Sequence, residues 1–167
     1  MLRTARQRIA VGTVAGVLAI ALVTWLAWPD PAKPPAPRER QYKATTACLL
    51  TDEHDLGGDL ARAAWAGMQD ASTATLIKVQ HLAITGPQTP ANGLTYYNTL
   101  GVQRCTVIIA AGQVPVAAMT QGRAAFPDIR HAAIGADTQD KAVTVIDASS
   151  ADTIRAGVRT LVTAAAG

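Results

Sequence analysis

The sequence predicts an α/β domain behind a single transmembrane helix. The domain is a three-layer sandwich on a mostly parallel five-stranded sheet of order 2-1-3-4-5. Three observations lead there. From residue 45 onward, short β-prone runs alternate with runs at helical spacing. Residues 105–111 are almost continuously apolar, as a strand covered on both faces must be. Residues 9–28 form a run of 20 residues without a charge.

That uncharged run rises about 30 Å as a helix, the thickness of a bilayer core. Arg3, Arg6 and Arg8 precede it. The positive-inside bias therefore places residues 1–8 in the cytoplasm and the remainder outside, a single-pass signal-anchor topology at the cell membrane. Trp25 and Trp28 fall at the far end, where aromatic rings favour the headgroup layer. A cleaved secretory signal would have a shorter apolar core and a small-x-small site. Ala27 has Trp25 two residues before it, which fits such a site badly. Residues 29–43 read as a linker, because five of the nine prolines lie between Pro29 and Pro37. Residues 44–167 are then the extracytoplasmic domain.

Within it, residues 45–50 read as the first strand. Leu60, Ala64, Trp65 and Met68 mark a helix, and residues 75–84 a second strand. Gly86-Pro87 and Thr89-Pro90 interrupt the chain before a short helix through Leu94, Tyr97 and Leu100. Residues 105–111 are the third strand and 116–126 a helix that Pro127 ends. Residues 130–134 and 142–146 are two more strands. Ser149 or Ser150 caps a last helix whose Ile154, Val158, Leu161, Val162 and Ala165 share one stripe.

Composition narrows the function classes. With 49% apolar and 16% charged residues the chain is neither disordered nor collagenous. The net charge is +3, but residues 1–43 carry seven Lys/Arg against two Asp/Glu, and residues 44–167 eight against ten. The balance of +5 and −2 puts the basic excess in the N-terminal segment, so nucleic acid is not an expected partner of the domain.

Several stretches resemble the first lobe of the basic membrane protein family, the substrate-binding proteins of certain ABC importers. They are Cys48-Leu49-Leu50-Thr51-Asp52, Ala64-Trp65-Ala66-Gly67-Met68, residues 100–112 with Arg104-Cys105-Thr106-Val107-Ile108-Ile109, Phe126-Pro127-Asp128-Ile129, and residues 151–165. The resemblance covers residues 44–167 in order. It implies one lobe of a type I periplasmic-binding-protein fold and a small polar ligand such as a nucleoside or sugar, with no cofactor. Two departures stand out. Leu60 and Ala61 occupy the places of the family's ligand-holding aromatic residue and Asn. Gly135 stands where an acid is usual, with Asp137 two residues later. In the family a second lobe of similar size follows the place of Gly167. The expected function is thus a solute-binding-protein-like domain, a degenerate half-receptor. The alternative is a structural or protein-interaction domain that kept the fold and lost the ligand. No catalytic constellation such as G-x-S-x-G occurs, so no enzyme is expected.

Asp52, Glu53, His54 and Asp55 follow the first strand, at the edge where open α/β sheets bind ligands. Their carboxylates can accept from ligand hydroxyls; equally, they suit a solvated loop near a helix start. Consecutive placement lacks metal-ligand spacing. Gly112 and Gln113 end the third strand at the same edge, as a close-approach point and a polar contact, or as a plain strand-to-helix turn. His81 and His131 fall in the second and fourth strands, as surface or satisfied interior groups. Cys48 and Cys105 open neighbouring strands in this order. A disulfide needs Cα atoms about 4.4–6.8 Å apart, and two buried thiols are the alternative. A lone lobe leaves a carboxyl edge with Leu56, Val114 and Pro115 that a second copy, as a homodimer, or a partner chain could cover.

Overall fold

A computed structural model describes residues 41–167. The expected cytoplasmic tail and transmembrane segment, and linker residues 29–40, lie outside the described residues. Among the described residues no helix is long and apolar enough to cross a membrane.

Five parallel strands run in the order β2-β1-β3-β4-β5. They are β1 (Thr46–Thr51), β2 (Lys78–Ala83), β3 (Val107–Ala111), β4 (Arg130–Ile134) and β5 (Val143–Ile146). Helices α1 (Asp59–Thr75) and α4 (Ala151–Ala165) cover one face; α2 (Pro90–Val102) and α3 (Gln113–Gly122) cover the other. Successive strand residues point to opposite faces. Ala47, Leu49, Val107 and Ile109 therefore pack under α1 and α4, while Cys48, Leu50, Ile108 and Ala110 pack under α2 and α3. Both faces of β1 and β3 are buried, which is why those runs carry no polar alternation.

The helix boundaries follow from local chemistry. Thr89 caps α2 by accepting from the Asn92 N–H at 3.3 Å, and Pro90 opens it, where its missing donor costs nothing. Ser150, not Ser149, caps α4, accepting from the Thr153 N–H at 3.1 Å. Helix α3 begins at Gln113, ahead of the expected Val116, because Pro115 is tolerated in a first turn. It ends at Gly122, and residues 123–125 continue as a 3-10 turn. The second strand begins at Lys78 rather than at residue 75. Thr73 and Thr75 lie in α1, their hydroxyls donating to the carbonyls of Gln69 and Ala71. Leu76 then ends the helix at φ 61°.

Helices α1 and α4 approach closely at Gly67, where a Cβ would collide with the Arg155 carbonyl and stand 3.1 Å from Val158 Cβ. Outside that contact Arg155 grips Asp70 with two hydrogen bonds, Nε to Oδ2 at 2.7 Å and Nη2 to Oδ1 at 2.9 Å. The guanidinium holds the Asp70 carboxyl below its ordinary range.

Cys48 and Cys105 form a disulfide, with Cα atoms 6.0 Å apart. The geometry differs from two cysteines opening paired strands. Cys48 is inside β1, opposite Ile108, and Cys105 precedes β3 in a loop where Arg104 has φ 60°. Release from the strand lets Cys105 turn its sulfur onto β1. On the same side of the sheet, His131 is 4% exposed and hydrogen-bonds Tyr97 through Nε2 at 2.7 Å. Burial pushes His131 down to about 4 and Tyr97 up to about 12. This histidine is a satisfied interior group.

Candidate functional site

In a parallel sheet every strand ends at one edge, and the loops there collect side chains that are distant in sequence. The chain turns one way from β1 to β2 and reaches β3 on the other side of β1. The carboxyl ends of β1 and β3 therefore flank the crevice where open α/β sheets take ligands.

Asp52 stands on the β1 side of that crevice and Gly112 on the β3 side. Gly112 has φ 98°, a conformation other residues seldom adopt, and leads directly into α3. A Cβ on Gly112 would lie 3.7 Å from Asp52 Oδ2, so the carboxylate sits against the glycine backbone. There it faces the amino end of α3, whose unpaired N–H groups favour an anion.

The other acidic-loop residues divide. Asp52 Oδ1 accepts from the His54 N–H at 3.0 Å, closing an Asx turn. Glu53 and His54 are exposed. Asp55, at φ 50°, points the other way, toward β2. Its Oδ1 lies 2.9 Å from His81 Nδ1 and accepts from Thr51 Oγ1 at 3.5 Å. Trp65 of α1 stands edge-on to the His81 ring, with centroids 5.0 Å apart. The structure thus places Asp52 at the crevice and ties Asp55, in the turn before α1, to His81 of β2. Among the described residues no group of three His, Cys, Asp or Glu is placed to hold a metal ion.

Gln113 belongs to a neighbouring opening at the ends of β3, β4 and β5. This open cavity of about 400 Å³ is lined by Gln113, Gly135, Asp137, Val145, Asp147 and adjoining backbone. Leu60 of α1 packs directly on Gly135. The opening is rich in hydrogen-bonding groups: an amide that donates and accepts, and two carboxylates that accept. Asp147 also accepts from the Ser149 N–H at 2.9 Å, which fixes the loop after β5.

Asp137 and Asp147 were absent from the residues expected to form a site. They lie in different loops, each just past a strand end, and only the parallel pairing of β4 with β5 brings them to one opening. The legible signal was the small-residue turn Gly135-Ala136 before an acid.

Sequence comparison matches the chain to no protein family and to no curated protein. Solved structures do resemble it. A fragment named as a lipoprotein from Peptoclostridium difficile 630 superposes with a TM-score of 0.61 at 12% identity, covering 72% of this chain and 98% of the fragment. A protein named as a LacI-family transcription repressor from Corynebacterium glutamicum gives 0.51 at 13% identity, covering 74% of this chain and 51% of that one. A 5-methylthioribose transporter solute-binding protein from Thermotoga lettingae TMO gives 0.49 at 19% identity, covering 60% and 31%. The first two likenesses show the fold alone, an α/β sandwich on a parallel sheet. The chain spans nearly all of the lipoprotein fragment and about half of the repressor.

Proposed function

We propose that this chain is a membrane-anchored, extracytoplasmic binding module built like the first lobe of a solute-binding protein, and that its carboxyl edge takes a small polar solute. The observation that carries the proposal is the opening beside the β1/β3 crevice, where Gln113 at the start of α3 meets Asp137 and Asp147 from two loops. Two carboxylates and an amide suit the hydroxyls of a sugar or the ribose of a nucleoside. The stretches that resemble the basic membrane protein family support the lobe, while Leu60 and Ala61 depart from its ligand-holding residues. The reading is one of binding, not catalysis.

External placement draws support from the charge-free run at residues 9–28 behind three arginines. The disulfide agrees with it, since such bonds persist outside the reducing cytoplasm. The similar solved fragment is itself named as a lipoprotein.

A second reading, a domain that kept the fold and lost the ligand, is favoured by two contacts. Leu60 packs on Gly135 just past β4, and Asp55 is already spent on His81. A thermal-shift panel of nucleosides and sugars on the full chain in detergent separates the two. A ligand at about 100 times its dissociation constant adds roughly 2.7 kcal/mol. The binding reading expects a shift that Asp137→Asn with Asp147→Asn removes. No shift with any solute supports the second reading.

A further inference from the structure

The net charge of the domain hides a segregation. Because all strands run in one direction, the residues just before or at their starts share one edge. Each strand brings a basic residue there: Lys43 before β1, Lys78 opening β2, Arg104 before β3, Arg130 opening β4 and Lys141 before β5. The register aligns them, with Lys78 opposite Thr46 and Arg130 opposite Val107. All five are exposed. At about 4.8 Å between strands they span roughly 20 Å. The opposite edge carries Asp52, Glu53, Asp55, Asp137 and Asp147. The acids at the basic edge are Asp128 and Asp140, and Asp140 is paired with Arg123.

We propose that this amino edge is a docking surface for anionic lipid headgroups, and that docking turns the acidic carboxyl edge toward the external solution. The inference rests on the anchored reading given above. Two observations select lipid as the occupant. The described chain begins at this edge, with Tyr42 and Lys43 leading into β1. The expected anchor and its tether, about 45 Å long at full polyproline extension, keep the domain within reach of the bilayer. A basic edge beside such a tether suits a surface of anionic headgroups, to which each Lys or Arg near the surface adds attraction.

Part of this charge also serves the helices. Lys43 Nζ donates to the Ala166 carbonyl at 2.8 Å and Arg130 Nη1 to that of Ala164 at 3.1 Å, at the negative end of α4. Arg104 and Lys141 form no side-chain hydrogen bond or ion pair among the described residues, so their side chains are free to serve a surface.

Amine labelling reads the docking directly. The lysines of residues 41–167 are Lys43, Lys78 and Lys141, all on this edge, and Lys33 in the tether serves as reference. The full chain is placed in nanodiscs of phosphatidylcholine, with or without phosphatidylglycerol, and labelling rates are read by mass spectrometry at about 50 mM salt. The proposal expects the three rates to fall at least about fivefold relative to Lys33 in the anionic discs, and to recover near 0.5 M salt. Arg104→Glu should restore most of the labelling of Lys43 and Lys78 without moving the thermal midpoint. Equal rates in the two lipids overturn the docking. So does protection by a double-stranded DNA oligonucleotide with none from anionic lipid. Failure of the chain to enter discs refutes the anchor instead, and the same labelling beside free vesicles of each lipid then still decides the docking.

Discussion

Reducing the Cys48–Cys105 bond should remove a large share of the stability of this domain. The two residues are 57 apart in sequence. Opening a loop of that length returns about 14 cal/mol/K of chain entropy to the unfolded state, or about 4 kcal/mol at 25 °C. Small domains have roughly 5–15 kcal/mol in total. With an unfolding entropy near 2.1 cal/mol/K per residue, a domain of about 125 residues should lose roughly 15 °C in Tm. Both cysteines are buried, at 0% and 2% exposure, so replacing them with alanine would add cavity costs. Reduction of the wild-type chain by a phosphine leaves the packing atoms in place and isolates the crosslink. The assay is thermal unfolding by near-ultraviolet circular dichroism, oxidised against reduced. A fall of less than about 3 °C would refute the argument, as would free thiols at both positions in protein alkylated before extraction from its membrane.

Other predictions follow from burial and from the carboxyl edge. His131 has its folded pKa lowered to about 4 against an ordinary 6.5, so its contribution is complete above pH 6.5 and is lost as pH falls through 4. The loss amounts to roughly 3 kcal/mol; urea midpoints between pH 7 and 4 should decline more for wild type than for His131→Gln, and parallel slopes would contradict this. Tyr97 is shifted the opposite way, to about 12, so its contribution holds below pH 10 and fades toward pH 12, which ultraviolet titration of the phenol can follow. Gly67→Val should destabilise by about 1–3 kcal/mol, because a side chain there forces α1 off the Arg155 carbonyl; an unchanged denaturation midpoint would show the helices less tightly packed. Asp55→Asn should cost up to about 1 kcal/mol of stability, through His81, while leaving solute affinity intact. Asp137→Asn should do the reverse, and calorimetry with denaturation tells the two apart.

The architecture was legible because its signals are local. The all-apolar β3 run, Thr89-Pro90 before α2 and Ser150 before α4 each act within a few residues, and alternation fixes a parallel sheet. The start of β2 was not legible. Thr75 reads as the opening of that strand, yet it ends α1, with its hydroxyl donating to the Ala71 carbonyl. The acidic loop was visible as a cluster, yet the β1–β2 register sends Asp55 to His81 and leaves Asp52 at the crevice. Asp137 and Asp147 join one opening only through the β4–β5 pairing. The balance of −2 over residues 44–167 likewise concealed the sorting of basic and acidic residues to opposite sheet edges, which strand direction reveals.

The most direct test of a solute-binding carboxyl edge is a map of backbone amide shifts in the isotopically labelled full chain as a nucleoside or sugar active in the thermal-shift panel is added. Solute binding at the carboxyl edge should give saturable changes at residues 112–113, 135–137 and 145–148, with the amino edge unmoved. Changes confined to other surfaces, or none at millimolar solute across the panel, would contradict it.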